Sequence, residues 1–347
     1  MHYSRVSIGA LGYELAPVVV TSDDIEERLD AVYRALRMPQ GQLAALTGIR
    51  ERRFWEEGYP VSRGAATAGR RALEAAGVSA GEIGALVYAG VNREAFEPAT
   101  ACHVASDLGI GASATIYDIS NACLGVLNGI LDVANRIELG QIRAGLVVSC
   151  ETAREINDIM IDRMIERPAM DLFAKTIATF TGGSGAAAVL LTDGSFEGAQ
   201  SHRLLGGVAE SAPEHFGLCE WGLMPETGKG VRAYMSTDAP SVLRHGVALG
   251  MRTWEHFLRE MDWRAEDIDK VICHQVGHAN RDAILKAIGI PEAKDFSTYE
   301  YLGNMGTVSL PLTAALADER EFLNPGDRVA WLGIGSGLNC LMLGVHW

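Results

Sequence analysis

Thr115-Ile-Tyr-Asp-Ile-Ser-Asn-Ala-Cys123-Leu-Gly-Val-Leu-Asn-Gly-Ile130 joins an apolar, β-branched run to a helical pattern, with a cysteine at the junction. A strand that stops there delivers Cys123 to a sheet edge. The helix that follows places it at a positive helix end, where thiolate is favoured over thiol. Most cysteines of a cytosolic chain are small core hydrophobes. This one reads instead as a nucleophile with a lowered pKa.

The same alternation runs through the chain and predicts an α/β fold. Strands are expected at residues 85–89, 144–149, 186–191, 270–276 and 328–334, and helices at 22–36, 63–76, 124–139, 239–260 and 279–288. An internal echo is more specific. Gly81-Glu-Ile-Gly-Ala-Leu-Val-Tyr leads to a helical piece ending Leu108-Gly-Ile110. Glu266-Asp-Ile-Asp-Lys-Val-Ile-Cys leads to one ending Ile288-Gly-Ile290, about 180 residues later. Each is followed by a Tyr-containing strand with an asparagine behind it, Asn121 in the first copy and Asn304 in the second. A duplicated fold is expected, with halves at residues 1–195 and 205–347 and the bend between them within 193–207.

Composition narrows the function classes. The 347 residues are 48% hydrophobic, enough for a large core. Six scattered cysteines with no CxxC fit a reducing compartment and argue against disulfides or structural zinc. The start lacks a basic region followed by an apolar one, and no apolar run approaches the roughly 18 residues that span a bilayer. A net charge of −14 disfavours nucleic acid. A cytoplasmic globular protein is the expectation.

A cysteine nucleophile needs partners that manage charge on the oxygens it creates. Lys270-Val-Ile-Cys-His-Gln-Val-Gly-His278 places His274 at the end of a buried strand. Glu300-Tyr-Leu-Gly-Asn-Met-Gly-Thr-Val-Ser-Leu-Pro311 places Asn304 between Gly303 and Gly306, just before an apolar helix. Taken alone, such a histidine is often filler and such an asparagine a turn residue. Leu332-Gly-Ile-Gly-Ser-Gly-Leu-Asn339 lacks the lysine and following helix of a phosphate loop. Beside the cysteine, its backbone N–H groups suit an oxyanion better.

Together these residues resemble the thiolase superfamily, and within it the ketoacyl-ACP synthase III-like condensing enzymes. The matching stretches are Thr47-Gly-Ile-Arg-Glu-Arg-Arg53, Asn121-Ala-Cys123-Leu-Gly, His274-Gln, Gly303-Asn304-Met-Gly-Thr and Gly335-Ser-Gly337. The resemblance implies two βαβαβαββ halves in a five-layered α/β/α/β/α sandwich, usually a homodimer. It implies Cys123 as the acyl-carrying nucleophile and His274 with Asn304 at the carbonyl of the second thioester. Backbone N–H groups of Cys123 and Ser336 become the acyl oxyanion site. Substrates are acyl-CoA or acyl carrier protein thioesters, with no metal or redox cofactor. Arg50, Arg52 and Arg53, in the family's early arginine-rich motif, form the candidate cation cluster near the pantetheine entrance, with Arg50 first among them.

One departure matters. Asn92-Arg-Glu-Ala-Phe-Glu97-Pro98 corresponds to a loop that crosses to the partner's acyl pocket, and the fatty-acid-initiating synthases carry an aromatic residue before the proline. Glu97 stands there instead. A carboxylate in an acyl tunnel is costly unless it is used, and here it suits a base that deprotonates the second acyl thioester. This resembles the olefin-biosynthesis (OleA-type) branch, as does the ending Trp331-Leu-Gly-Ile-Gly-Ser-Gly-Leu-Asn-Cys340. The apolar stretch 157–180 suits a second acyl channel, or ordinary core or a dimer interface. The alternatives are a decarboxylative synthase III using malonyl-ACP, a ketosynthase-like acyltransferase, and a catalytically silent partner subunit.

Overall fold

The computed structural model describes residues 1–226, 228 and 230–347. The first half contains strands β1 Ser7–Leu15, β2 Val18–Thr21, β3 Glu51–Phe54, β4 Ile83–Ala89, β5 Thr115–Ile119, β6 Ala144–Glu151 and β7 Gly185–Thr192. Its helices are α1 Ser22–Arg28, α2 Asp30–Leu36, α3 Gln42–Thr47, α4 Val61–Ala76, α5 Thr100–Leu108, α6 Gly125–Glu138, α7 Arg154–Glu166 and α8 Met170–Thr176. The second half contains β8 His202–Ser211, β9 Cys219–Glu226, β10 Gly230–Thr237, β11 Lys270–Cys273, β12 Arg328–Gly335 and β13 Asn339–His346. Its helices are α9 Ala239–Met261, α10 His278–Ile288, α11 Tyr299–Leu302 and α12 Ser309–Glu319.

Nine strands pair in the order β11-β12-β13-β8-β1-β7-β6-β4-β5. Within the sheet the halves join where β1 pairs with β8, at Ser7–Arg203 and Ile8–His202. On one side β4 runs parallel to β5 and β6, while β6–β7 and β7–β1 are antiparallel. On the other β11 runs parallel to β12, while β12–β13 and β13–β8 are antiparallel. The echo in the sequence is thus a repeated strand order.

The repeat is incomplete at one edge. Where the first half has β5, the second has a single bridge between Val271 and Asp295. The backbone leaves the ladder because the N–H groups of Thr298 and Tyr299 go to the Gln275 side chain, at 2.8 and 3.0 Å. Tyr299 and Tyr301 consequently lie in the short helix α11, and the strand expected ahead of Asn304 is replaced. The helix expected at 22–36 is divided at Leu29, and the strand expected at 270–276 ends at Cys273.

Alternate residues explain the layers. Val87 and Val147 face a central core with α6, α12, Trp331 and Leu343. Their neighbours Leu86, Tyr88, Leu146 and Val148 face outward onto α4 and α5. On the other side α9 and α10 cover β11, β12 and β13. Sheets covered on both faces need uninterrupted apolar strands, which is what β6 and β7 present. Outside these layers, α7 and α8 pack with α1 and α2 and meet Ala233 and Met235 of β10. No helix among the described residues is long and apolar enough to cross a membrane.

β1 packs tightly against α4. A Cβ on Gly12 would stand 2.1 Å from the Ala68 carbonyl oxygen and 2.8 Å from the Ala72 nitrogen. Backbone atoms do not yield as side chains do. Gly12→Ala is therefore expected to cost about 1–3 kcal/mol, read as a lower urea midpoint with an unchanged slope.

Candidate active site

The carboxyl ends of the parallel strands gather at one edge, the usual location of an α/β site. The segments after β4, β5, β6, β11 and β12 all reach a cavity of about 1140 Å³ there. That exceeds the usual ligand pocket of about 300–1,000 Å³. Cys123, His274, Asn304 and Ser336 line it together. Glu97 does not: residues 93–98 are exposed on the chain's own surface. Phe96 beside it is 93% exposed.

Cys123 follows a strained residue. Ala122 holds φ at 45°, in the left-handed region that favours glycine, and so turns the chain sharply between β5 and α6. An amide and hydroxyl chain ties this turn to the C-terminal half. Ser211 donates to Asn339 Oδ1 at 2.7 Å, Asn339 Nδ2 to Asn121 Oδ1 at 3.1 Å, and Asn121 Nδ2 to Asn128 Oδ1 at 2.8 Å. Gly335 then comes so close that a Cβ there would lie 3.4 Å from the Cys123 nitrogen. The Gly335 backbone therefore stands beside the Cys123 amide, and Ser336 follows it on the cavity wall.

Electrostatics reverse one expectation. Burial pushes the Cys123 thiol up to about 12, and Cys219 and Glu151 add to it. The helix end does not prevail, partly because an early donor of α6 is already spent: Val126 N–H goes to Thr307 Oγ1 at 2.7 Å. Cys123 rests as a neutral thiol.

His274 is held at the end of β11 by its N–H to the Leu332 carbonyl at 2.9 Å. Burial lowers its pKa to about 4, so the imidazole is neutral at physiological pH. Its Nδ1 is buried without a hydrogen-bond partner among the described residues. An N–H stranded there would be costly, which assigns the proton to Nε2. Asn304 is oriented by Gly306, whose N–H donates to its Oδ1 at 3.0 Å. The amide therefore offers Nδ2 as a donor. Backbone bonds of Asn304 to Thr181 and Gly183, at 2.8 and 2.9 Å, anchor the loop.

Two further candidates differ from their sequence reading. Arg50 is absent from the lining, although Thr47 is part of it; its side chain is 81% exposed and pairs with Glu300 at 2.8 Å. Arg52 is no surface cation, because the alternation of β3 buries it. It donates to Ser22 at 3.1 Å and to the Phe180 carbonyl at 3.0 Å. The 157–180 stretch does contribute, through Phe173, Ala174, Ile177 and Ala178. A second group, Val242, Leu243, Val247 and Ile284, comes from α9 and α10.

Sequence reasoning passed over Glu151. It ends the wholly buried β6, lines the cavity, and is pushed up to about 7 by burial. Its signal was visible: an acid closing an uninterrupted apolar strand, as Cys123 and His274 close theirs.

Residues 56–170 match the thiolase N-terminal domain, and residues 258–347 match the C-terminal part of 3-oxoacyl-[acyl-carrier-protein] synthase III. The chain is 57% identical over 350 residues to an acyl-CoA:acyl-CoA alkyltransferase of Shewanella oneidensis. It is 34% identical over 348 residues to that of Xanthomonas campestris pv. campestris. Both matches cover 100% of each chain. Among solved structures it is similar to Xanthomonas campestris OleA with bound lauric acid and lauroyl-CoA. That match has a TM-score of 0.93 at 34% identity and covers 99% of this chain and 100% of the other.

His274, half-buried with its Nδ1 enclosed, carries a stability signature. Its pKa is about 4 when folded against 6.5 ordinarily, so between these values the unfolded chain binds more protons here. Stability at this residue thus rises with pH across that window and is lost as pH falls. Thermal melts of His274→Asn are expected to fall less than those of the parent over the same range. Equal slopes would refute a buried neutral imidazole.

Proposed function

The chain belongs to the acyl-CoA:acyl-CoA alkyltransferase family of thiolase-fold condensing enzymes, and from that premise we propose that it joins two fatty acyl-CoA molecules without decarboxylation. The observation that carries this is the set of neutral groups, the Cys123 thiol, His274 imidazole and Asn304 amide, on one largely apolar cavity with two apolar walls.

In the first step Cys123 Sγ attacks the thioester carbonyl of one acyl-CoA. A new C–S bond forms, the bond to CoA breaks, and the thiol proton leaves with CoA. Thioester replaces thioester, so the step is nearly neutral in energy. The tetrahedral oxyanion faces the backbone N–H groups of Cys123 and Ser336.

In the second step an α-proton of another acyl-CoA moves to a carboxylate. The enolate oxygen accepts from His274 Nε2–H and Asn304 Nδ2–H. Its α-carbon attacks the acyl-Cys123 carbonyl, a C–C bond forms, the C–S bond breaks, and the Cys123 thiolate takes up the proton that the carboxylate received. The product is a β-keto thioester, or the acid after hydrolysis. Each donor is worth roughly 3–4 kcal/mol of barrier.

Glu97 is the base in this proposal, supplied by a partner subunit in a homodimer. Its absence from the chain's own cavity and the exposure of Phe96 support that reading, since an apolar side chain so presented gains by burial against a second copy. Arg50 would serve the anionic end of CoA from the rim near Thr47. A net charge of −14 makes such a local cation useful.

Incubation with a long-chain acyl-CoA as sole substrate is expected to release CoA and yield the condensed product. If turnover instead requires malonyl-ACP, the decarboxylative alternative replaces this one. Glu97→Gln is expected to keep Cys123 acylation, seen as a mass increment, while condensation falls at least a hundredfold. Asn304→Ala should lower condensation about 100–1,000-fold, the loss typical of one oxyanion donor.

A further inference from the structure

Glu151 has no part in either step above, yet it occupies the cavity wall beside the reacting groups. Its carboxylate has a definite task. Oε1 accepts the Val91 N–H at 2.8 Å and Oε2 accepts the Asn92 N–H at 3.1 Å. These two residues are the root of the segment that leaves β4 and carries Glu97.

The adjoining atoms repeat the link. Thr152 N–H donates to Asn92 Oδ1 at 3.2 Å, and the Tyr88 hydroxyl lies 2.7 Å from the Asn92 carbonyl and 2.9 Å from that of Cys150. At the far end Thr100 Oγ1 accepts the Glu94 N–H at 3.1 Å. Asp118 accepts the N–H groups of Thr100 and Ala101, both at 2.9 Å. Between these anchors residues 93–98 are exposed. A buried carboxylate carries a desolvation cost that two backbone N–H groups only partly offset. What such bonds do supply is direction.

We infer that Glu151 is a positioning residue for the step in the other subunit: by fixing the root of the 91–99 segment it aims Glu97 of its own chain into the partner's cavity. The inference rests on the reading of Glu97 as a base supplied across a dimer. Gln at 151 keeps one acceptor oxygen but turns an NH2 group toward the other backbone N–H, so one bond becomes a repulsion.

Heterodimers with differently tagged subunits separate this role from a local one. In the first pairing a Cys123→Ala, Glu151→Gln subunit joins a wild-type subunit. The sole nucleophile then has its own Glu151 but is served by the altered chain's loop. In the second a Cys123→Ala subunit joins a Glu151→Gln subunit, so the sole nucleophile sits in the altered chain and is served by an unaltered loop. Lauroyl-CoA is the probe, and a Cys123→Ala/wild-type heterodimer sets the reference.

The first pairing is expected to keep Cys123 acylation and its KM while condensation falls at least tenfold. The second is expected to condense at the reference rate. The reverse pattern would overturn the inference and make Glu151 a group acting in its own cavity. Reference rates in both pairings would leave it no role, and loss of acylation in both would assign it to folding; either result refutes the inference. A Cys123→Ala, Glu97→Gln subunit joined to wild type keeps the two readings apart. If that pairing condenses normally, it is Glu97 that fails as the base, whatever the Glu151 variants do.

Discussion

A Cβ on Gly333 would stand 2.4 Å from Leu127 Cδ1 and 2.7 Å from Leu124 Cδ2, and one on Gly335 would stand 3.3 Å from Leu124 Cγ. The start of α6 therefore rests on a strip of β12 that has no side chains. The arrangement around Cys123 depends on this contact. It brings the Cys123 amide beside Gly335, lets Asn339 reach Asn121, and leaves the His274 and Asn304 loops on the same cavity. A larger residue on this strip would separate the two halves where their chemistry meets.

Burial then sets the charge state. The thiol is pushed up, the imidazole down and the Glu151 carboxyl up, each with desolvation as the largest cause. A cavity that resists permanent charge is suited to a reaction in which charge appears briefly on substrate oxygens. Fixed donors then act in a medium of low dielectric, where they are worth more than in water. Gly306 contributes by occupying Asn304 Oδ1, so that the amide presents hydrogen rather than oxygen.

Much of this was legible in the chain. Cys123, His274, Asn304 and Ser336 were found because each interrupts a regular pattern at a strand end or glycine turn, and the structure brings all four to one cavity. The repeated strand order was legible because hydrophobic period and turn residues are local signals. The Cys123 pKa was not, because desolvation depends on everything that surrounds a thiol, whereas a helix end is visible in a few residues. Arg52 was misread for a similar reason: three arginines in four positions look like a cation patch until strand alternation turns one inward. Glu151 was overlooked because its partners, the N–H groups of Val91 and Asn92, lie about 60 residues away and leave no mark in composition.

Thr307 has a consequence beyond the site. Its hydroxyl accepts the Val126 N–H, so a residue of the C-terminal half completes the first turn of a helix in the N-terminal half. α6 and α12 also share one apolar core with strands from both halves. Neither half owns a finished central layer. Although the strand order is that of two repeated units, neither half buries its central face alone, so the two halves are expected to open together rather than one by one.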